Sequence, residues 1–400
     1  MKVLLVTLEF GAVFSGNGTH GRNQVTTLLD RGAQVNVICG LPPTTEEGTF
    51  RAELQRGFPT YYDRCLFIHC VAVSKWKRVD KNCDWEGFTT GASKLIGHLS
   101  LESDLVVGID WTGMMAILHQ QTTTKPIVYL NYRVFHCNTG EMSDDDRQFY
   151  LEHERNACNV SSSIVVLSDH DNAQLAKITN DKTIPIATLH PPLRQEIVTL
   201  TKSMTTRVTK YLTCCVRISP EKNTMAFVDL VESIGVDCLM ELGIVPLLCG
   251  SYSEDDHYAT QMVHRLVEIA PQSEIRGFVT SKELVEIFKQ TRINVHPALS
   301  EAYGMTIVEA AAAGAPTLLH SEPTIGAKEL LGEDAVLQAN FNRISDARSL
   351  VIDNLSGSSD NLISISARAC EKALSWTNQE AGDSLWKLFH DVIASADKGR

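Results

Sequence analysis

The chain has 400 residues, a formal net charge of -12 at pH 7, and 44% hydrophobic against 21% charged residues. That length exceeds one ordinary core and suits two α/β domains, and the composition is that of a globular chain, not a disordered one. The acid excess disfavours nucleic acid as a main partner, because phosphate tracking needs clustered Lys and Arg, and it leaves only local docking on an anionic membrane.

The N-terminus, MKVLLVTLEFG, has a short apolar run without a small-residue cleavage site, so residues 2–7 read as a first buried strand. A glycine-rich turn over 11–21 follows, then a helix over 23–31 stopped by Gly32, and a strand over 34–39. This is a βαβ unit, which implies a parallel sheet with right-handed crossovers. Further strands are expected over 105–109, 126–131 and 163–167, with helices over 112–121 and 144–158 and Ser143 as the cap of the latter. His190–Pro191–Pro192 breaks the series, and the polar stretch from 199 to 210 suits an interdomain connection. A second α/β series follows: strands over 211–216, 245–249, 292–296 and 317–320, and a helix over 306–313 ended by Gly314 and Pro316. Residues 366–394 are helical in pattern. No apolar stretch approaches the ~20 residues of a membrane helix. The eleven cysteines include no CxxC spacing, several lie in apolar runs (Cys39, Cys214, Cys215, Cys249), and no zinc-like ligand spacing appears. Free thiols, no metal site and a cytoplasmic location are the expectations.

The strongest chemical signal is HPALSEAYGMTIVEAAAAGAP, residues 296–316. Glu301 precedes a helix and Glu309 lies within it. Gly304 lets the backbone turn and approach a ligand. The amides that open the helix, those of Met305 and Thr306, together with its positive dipole end, suit a pyrophosphate. Glu309, one to two turns in, suits the hydroxyls of a ribose; Glu301, outside the helix, suits those of a sugar, since carboxylates make charge-assisted bonds to hydroxyls. CVRISPEKN, residues 215–223, places Arg217 and Lys222 after the first strand of the second series. A fixed guanidinium and ammonium stabilise the charge that grows on a departing diphosphate.

The 296–316 segment resembles the E-x7-E signature of glycosyltransferase family 4, "PS-x-x-E-G-F-G-x-x-x-x-E-A-M-A-C-G-T-P-V-V", with Pro297, Glu301, Gly304, Glu309, Ala310, Gly314 and Pro316 in register and Tyr303 in place of Phe. Residues 215–223 resemble the family's "G-R-L-x-P-E-K-G/N", with Val216 where Gly is common. GNGTHG, residues 16–21, is similar to the family's "G-G-x-x-x-H" region; this assigns Gly16 and Gly18 to donor phosphate and His20 to either ligand. DLVVGIDWTGMMA, residues 104–116, is similar to "D-v-v-H-x-H-D-W-x-x-G", matching at Asp110 and Trp111 but with Gly108 and Ile109 for the histidines. Asp110 also suits a helix cap. After the strand IVYLNYRVFH, where many members carry a donor-facing His, stand Asn131, Tyr132 and Arg133, with His136 a few residues on; Arg133 suits an anionic acceptor or an acid partner. HERNACNVSSSIVVLS and SWTNQEAGDSLWKLF extend the resemblance to most of the chain.

The resemblance implies an α/β protein of GT-B fold, two Rossmann-like doubly wound domains facing across a cleft. The expected boundaries are 1–195 for an acceptor-side domain, 196–210 for a hinge, 211–375 for a nucleotide-sugar domain, and 376–400 for a helix crossing back to the first. It implies retaining, metal-independent transfer of a hexose from a UDP-, GDP- or ADP-sugar to an acceptor hydroxyl, without a cofactor beyond the nucleotide-sugar co-substrate. Arg217, Lys222 and Glu301 would be catalytic, and the acceptor itself is open. Two rivals stand beside it: a nucleotide-sugar epimerase on the same fold, and a catalytically silent binding protein. Asp144–Asp146 mimic a metal-binding DxD, but acids after a Ser cap suit a helix start. The basic stretch 74–81 suits a solvated loop, or a peripheral membrane contact.

Overall fold

The computed structural model describes residues 1–10, 16–76, 81–120, 123–137, 142–180, 183–201, 209–250, 252, 255–322, 324–356 and 360–398. It forms two compact units, Met1–Asn138 with Met142–Pro191 and Asn378–Arg400 in one, Pro192–Thr377 in the other.

The first unit alternates β1 (Lys2–Thr7), α1 (Gly16–Asp30), β2 (Gln34–Leu41), α2 (Glu47–Gly57), β3 (Leu66–Ala72), α3 (Trp85–Leu99), β4 (Leu105–Ile109), α4 (Asp110–Gln120), β5 (Ile127–Leu130), α5 (Asp144–Val160), β6 (Ser163–Val166), α6 (Asp169–Ile178) and β7 (Ile186–Thr188). Its sheet runs β3-β2-β1-β4-β5-β6-β7, with the strands parallel throughout. Helices cover both faces of such a sheet, which is why β1, β4 and β5 read as continuous apolar runs and are buried along almost their whole length. The chain adds β2 and β3 on one side of β1 and then returns to add β4 on the other. The loops after β1 and β4 therefore diverge, and the crevice between them is the topological switch point where such sheets bind ligands.

The second unit contains α7 (Gln195–Thr201), β8 (Tyr211–Cys215), α8 (Thr224–Ile234), α9 (Val236–Glu241), β9 (Val245–Cys249), α10 (His257–Ile269), β10 (Glu274–Arg276), α11 (Ser281–Lys289), β11 (Thr291–His296), α12 (Met305–Ala312), β12 (Thr317–His320), α13 (Gly326–Leu331), β13 (Leu337–Ala339), α14 (Ile344–Ser356) and α15 (Asp360–Ser375). Its parallel sheet runs β10-β9-β8-β11-β12-β13, which puts the switch point between β8 and β11. The last helix, α16 (Asn378–Lys398), belongs to the first unit. It lies on α1, where Arg31 Nη2 reaches Asp383 Oδ1 at 2.7 Å and the Gln379 carbonyl at 2.7 Å, and Phe389 is fully buried.

Several elements differ from the sequence expectation. α1 begins at Gly16, not residue 23, so GNGTHG is the first turns of a helix rather than a loop. Glycine at 18 serves close packing: a Cβ there would lie 2.7 Å from Glu9 Oε1. The pattern over 366–394 resolves into two helices, interrupted at Trp376–Thr377. Within the expected hinge, α7 occupies the start and residues 202–208 lie outside the described residues. Residues 77–80 of the basic stretch also lie outside them, while Lys81 pairs with Asp146. Ser143 caps α5 as expected, accepting from the Asp146 amide at 3.1 Å. All eleven cysteines are free. Among the described residues no helix is long and apolar enough to cross a membrane, and no cluster of His, Cys, Asp and Glu suits a metal ion.

Candidate active site

At the second unit's switch point, the chain leaves β8 through Arg217 and a short 3₁₀ turn, Pro220–Lys222, before α8. It leaves β11 through His296–Pro297 and reaches Glu301. The two exits are stitched together by two hydrogen bonds: Leu299 N donates to the Glu221 carbonyl at 3.2 Å, and the Asn223 side-chain Nδ2 to the Pro297 carbonyl at 3.2 Å. That frame sets Lys222 Nζ 2.7 Å from Glu301 Oε2 and 3.3 Å from the Ser300 carbonyl. His296 Nε2 lies 3.3 Å from the same carboxylate oxygen. Burial by itself would push the Glu301 carboxyl up; the Lys222 ammonium, with the His296 ring, more than offsets it and holds the group well below the usual carboxylate range. An ionised carboxylate and an ammonium therefore stand ready at the strand ends.

Gly304 follows at φ +92°, the left-handed region, and opens α12. A Cβ at this position would strike Ile307 Cδ1 at 2.5 Å, so both the conformation and the space demand glycine. Met305 and Thr306 are half-buried at the helix start, where the first amides have no partner within the helix. Glu309, 3% exposed, is clamped by Arg194: Nε and Nη2 each reach Oε1 at 2.7 Å, and Nη1 reaches Ser281 Oγ at 3.0 Å. Burial raises the Glu309 carboxyl, and the guanidinium only partly opposes it. Arg217 leaves the same strand end, five residues before Lys222. It pairs with Glu221 four residues on, and its side chain is 39% exposed.

The first unit's switch point is built differently. Asp110 opens α4 at φ +52°, buried, and its Oδ1 accepts from the Tyr132 amide at 2.9 Å. The carboxylate thus ties the exit of β4 to the exit of β5. Burial pushes it up to about 7, opposed by the Tyr132 amide and by Arg133 and reinforced by Glu154 and Glu9. His20, expected in a loop, is buried on α1. It meets Gln24 Nε2 at 3.1 Å, Tyr132 donates its hydroxyl to Gln24 Oε1, and the His20 and Tyr132 rings stack obliquely at 4.7 Å. Burial pushes the His20 ring down to about 3, so it is neutral at physiological pH. Gly16 is exposed at the start of the same helix. Arg133 is half-buried with its guanidinium over the Phe135 ring, 5.5 Å from the centroid. Trp111 packs in an aromatic cluster with Trp85, Phe135, Phe149 and Tyr150.

Sequence reasoning missed several contributors. Arg194, just beyond the HPP break, gave no signal of pairing with a residue 115 positions on. Glu154 is fully buried and accepts from Phe135 N at 2.7 Å, His136 N at 3.2 Å and the His136 ring at 2.5 Å, which fixes the loop after β5. Burial would lower the His136 ring, but Cys137 and Glu154 together raise it to about 9. His136 therefore holds a loop in place.

Two doubly wound parallel sheets, each with polar groups gathered at its switch point, define the GT-B class of α/β fold. Known structures agree along the whole chain. Sucrose-phosphate synthase from Thermosynechococcus elongatus aligns with a TM-score of 0.79 at 12% identity, covering 98% of this chain and 99% of that one. Anabaena HepE in complex with UDP and glucose aligns with a TM-score of 0.71 at 14% identity, covering 98% and 100%. The α,α-trehalose 6-phosphate synthase of Burkholderia multivorans aligns at 0.72 with 11% identity, covering 99% of each chain. Residues 209–353 match the family model of glycosyl transferases group 1. No curated protein sequence matches the chain.

Proposed function

We propose that the chain is a retaining, metal-independent hexosyltransferase that takes its sugar from a nucleotide diphosphate donor. The observation that carries this reading is the Lys222–Glu301 pair beside the Gly304 turn, a cation and an anion set at the carboxyl ends of β8 and β11 next to a helix start. Such a set can bind a diphosphate and a sugar hydroxyl side by side. The family match over 209–353 spans every residue of that set. The similar fold of HepE, solved with UDP and glucose, supports a donor of the UDP-glucose kind ahead of a GDP- or ADP-sugar.

In this mechanism the donor diphosphate lies against the start of α12, with the Met305 and Thr306 amides facing it. Lys222 and Arg217 stabilise the charge that grows on the diphosphate as the anomeric C–O bond breaks. Glu301 holds the sugar's hydroxyls, and Glu309 the ribose. The acceptor hydroxyl attacks on the face the diphosphate leaves, and a diphosphate oxygen takes its proton, so configuration is retained. Asp110, His20 and Arg133 are assigned to the acceptor side. Gly16 and Gly18 sit at the start of α1, assigned to the donor phosphate. No metal or cofactor enters the scheme.

A silent binding protein is the second reading. It is favoured by Asn131, Tyr132 and Arg133 standing where the resemblance places a His, and by His20 being buried. Titration with UDP-, GDP- and ADP-glucose, followed by thermal unfolding, separates the readings. A bound donor raises the midpoint by mass action, and an anomeric assay with a panel of sugar-phosphate acceptors then reads transfer. A shift without transfer favours the silent protein; product without any acceptor favours an epimerase; no shift with any donor removes the proposal.

A further inference from the structure

Cysteine pairs recur at matching places in the two sheets. Cys39 on β2 is the direct register partner of Cys70 on β3, and Cys215 on β8 is that of Cys249 on β9. Opposed residues of neighbouring strands are about 4.7–4.9 Å apart and point to the same face. That separation lies within the roughly 4.4–6.8 Å between Cα atoms that a disulfide bridges. In each pair the two thiols therefore face one another across the ladder. Geometry therefore permits both bridges, and environment distinguishes them.

β3 is the edge strand of its sheet, and Cys70 is half-buried there while Cys39 is fully buried. Arg51 on α2 anchors its guanidinium on the Ile68 carbonyl at 3.1 Å and on Glu47 at 2.8 Å, beside the pair. The groups facing the two thiols are Arg51 and Glu47 from α2 and Arg22 from α1. The hydrogen bond from Cys39, followed by the Arg51 charge, lowers the Cys70 thiol despite its burial, and the same hydrogen bond raises Cys39. A half-buried thiol on an edge strand, beside a guanidinium and opposite a fully buried thiol, is the arrangement of an attacking and a resolving cysteine. The other pair has the opposite surroundings. Cys215 and Cys249 are 7% and 1% exposed, and the Cys249 contact, burial and the nearby Cys214 and Glu309 all raise Cys215.

We propose that Cys70 and Cys39 are a reversible oxidation site for small hydroperoxides. The Cys70 thiolate attacks the terminal peroxide oxygen and the O–O bond breaks. Cys70 becomes a sulfenic acid and the peroxide leaves, with a proton, as alcohol or water. The Cys39 sulfur then attacks the Cys70 sulfur, the S–O bond breaks, and water leaves with the Cys39 proton. Two thiols lose two electrons and the peroxide gains them. The bridge locks β2 to the edge strand directly before Gly40, whose amide donates to the Leu8 carbonyl at 3.0 Å in the segment leading toward α1.

The test uses the full chain, reduced and desalted, then exposed to dilute hydrogen peroxide for timed intervals and quenched with N-ethylmaleimide. Non-reducing peptide mapping should find a Cys39–Cys70 cross-link that dithiothreitol removes, formed at least about tenfold faster than any Cys215–Cys249 cross-link. C39S should stop at a dimedone-reactive sulfenic acid on Cys70. R51Q, which leaves both thiols in place, should slow iodoacetamide labelling of Cys70 and move its pH midpoint upward. A missing 39–70 cross-link in the wild-type chain, or one no faster than 215–249, overturns the proposal, as does a Cys70 labelling profile unchanged in R51Q.

Discussion

The two switch points handle charge differently, although burial raises Glu309 in the second unit as it raises Asp110 in the first. In the second unit each candidate carboxylate has a cation at 2.7 Å, Glu301 with Lys222 and Glu309 with Arg194. In the first unit burial dominates the charge state of the corresponding groups. His20 is pushed down to about 3, Asp110 is pushed up to about 7, and Gln24 and Tyr132 complete an uncharged chain of hydrogen bonds. Ion pairs at strand ends can exchange partners with a charged ligand at modest cost, because the ligand replaces one ion with another. Buried neutral groups instead fix a shape. The difference suits a second unit that meets a diphosphate and a first unit that meets something less charged.

The sharpest way to break the comparison is to remove one partner of a pair. Lys222→Met leaves the Glu301 carboxylate beside a lost ammonium, and breaking such a mostly buried pair costs about 3–5 kcal/mol. The carboxyl should then titrate higher, since burial is no longer offset by the ammonium. Since its wild-type position far below the usual carboxylate range is a stabilising shift, present above the ordinary value and lost as pH falls, the variant should also lose less stability between pH 5 and 3 than the wild type. Adding Glu301→Gln should restore most of the unfolding midpoint without restoring transfer. If the double variant is no more stable than Lys222→Met alone, the pair is not what holds the two strand exits.

Arg217→Ala should act on rate more than on stability. Its guanidinium is substantially exposed and pairs with Glu221, so its loss should leave the unfolding midpoint within about 0.5 kcal/mol. Removing a donor that stabilises charge only in the transition state typically costs about 10²–10³ in kcat. Donor affinity should move far less. A variant with equal turnover would remove Arg217 from the mechanism and leave Lys222 alone with the departing diphosphate.

Much of the second unit's site was legible because its signals are local. Gly304, the helix start after it and the two glutamates lie within one short segment, and the need for φ > 0 at Gly304 is a property of that turn. The strands were legible where burial on both faces makes a run of apolar residues, as in β1 and β4. Partnerships were not. Nothing local says that Lys222 meets Glu301 rather than Arg217, or that Arg194 clamps Glu309, because ion pairs depend on which strand exits become neighbours. The first unit was harder still. Position alone did not tell that His20 would be a buried helix residue or that Asp110 would tie two strand exits together. The cysteine register pairs are invisible in sequence for the same reason: they require the strand alignment.

Neutralisation by burial has a pH signature. Asp110 is raised in the fold, so its contribution is fully present below its ordinary range near 4 and is lost as pH climbs through about 7. Asp110→Asn keeps an oxygen to accept from the Tyr132 amide, tolerates the left-handed φ, and cannot ionise. It should match the wild type at pH 4 and gain on it up to pH 7, at no more than about 1.4 kcal/mol per pH unit. Above pH 7 the difference should stay flat. Equal stability curves across the range would mean that the carboxylate is solvated and the unit is not neutralised by burial.

The smallest expected effect tests what glycine does at the start of α1. Ala in place of Gly within a helix is worth up to about 1 kcal/mol, but at position 18 the new Cβ would meet Glu9 Oε1 at 2.7 Å. The far end of a glutamate can swing aside, so Gly18→Ala should be close to neutral in the wild type and stabilising in a Glu9→Ala background. The coupling between the two sites should be about 0.5–1 kcal/mol by unfolding. Donor affinity separates this account from the phosphate one. If glycine is there so that a phosphate can approach the backbone, Gly18→Ala weakens donor binding whether or not Glu9 is present. If it is there to admit Glu9, donor affinity stays unchanged in both backgrounds, and the first unit's helix start is a packing feature while the diphosphate belongs to the second unit alone.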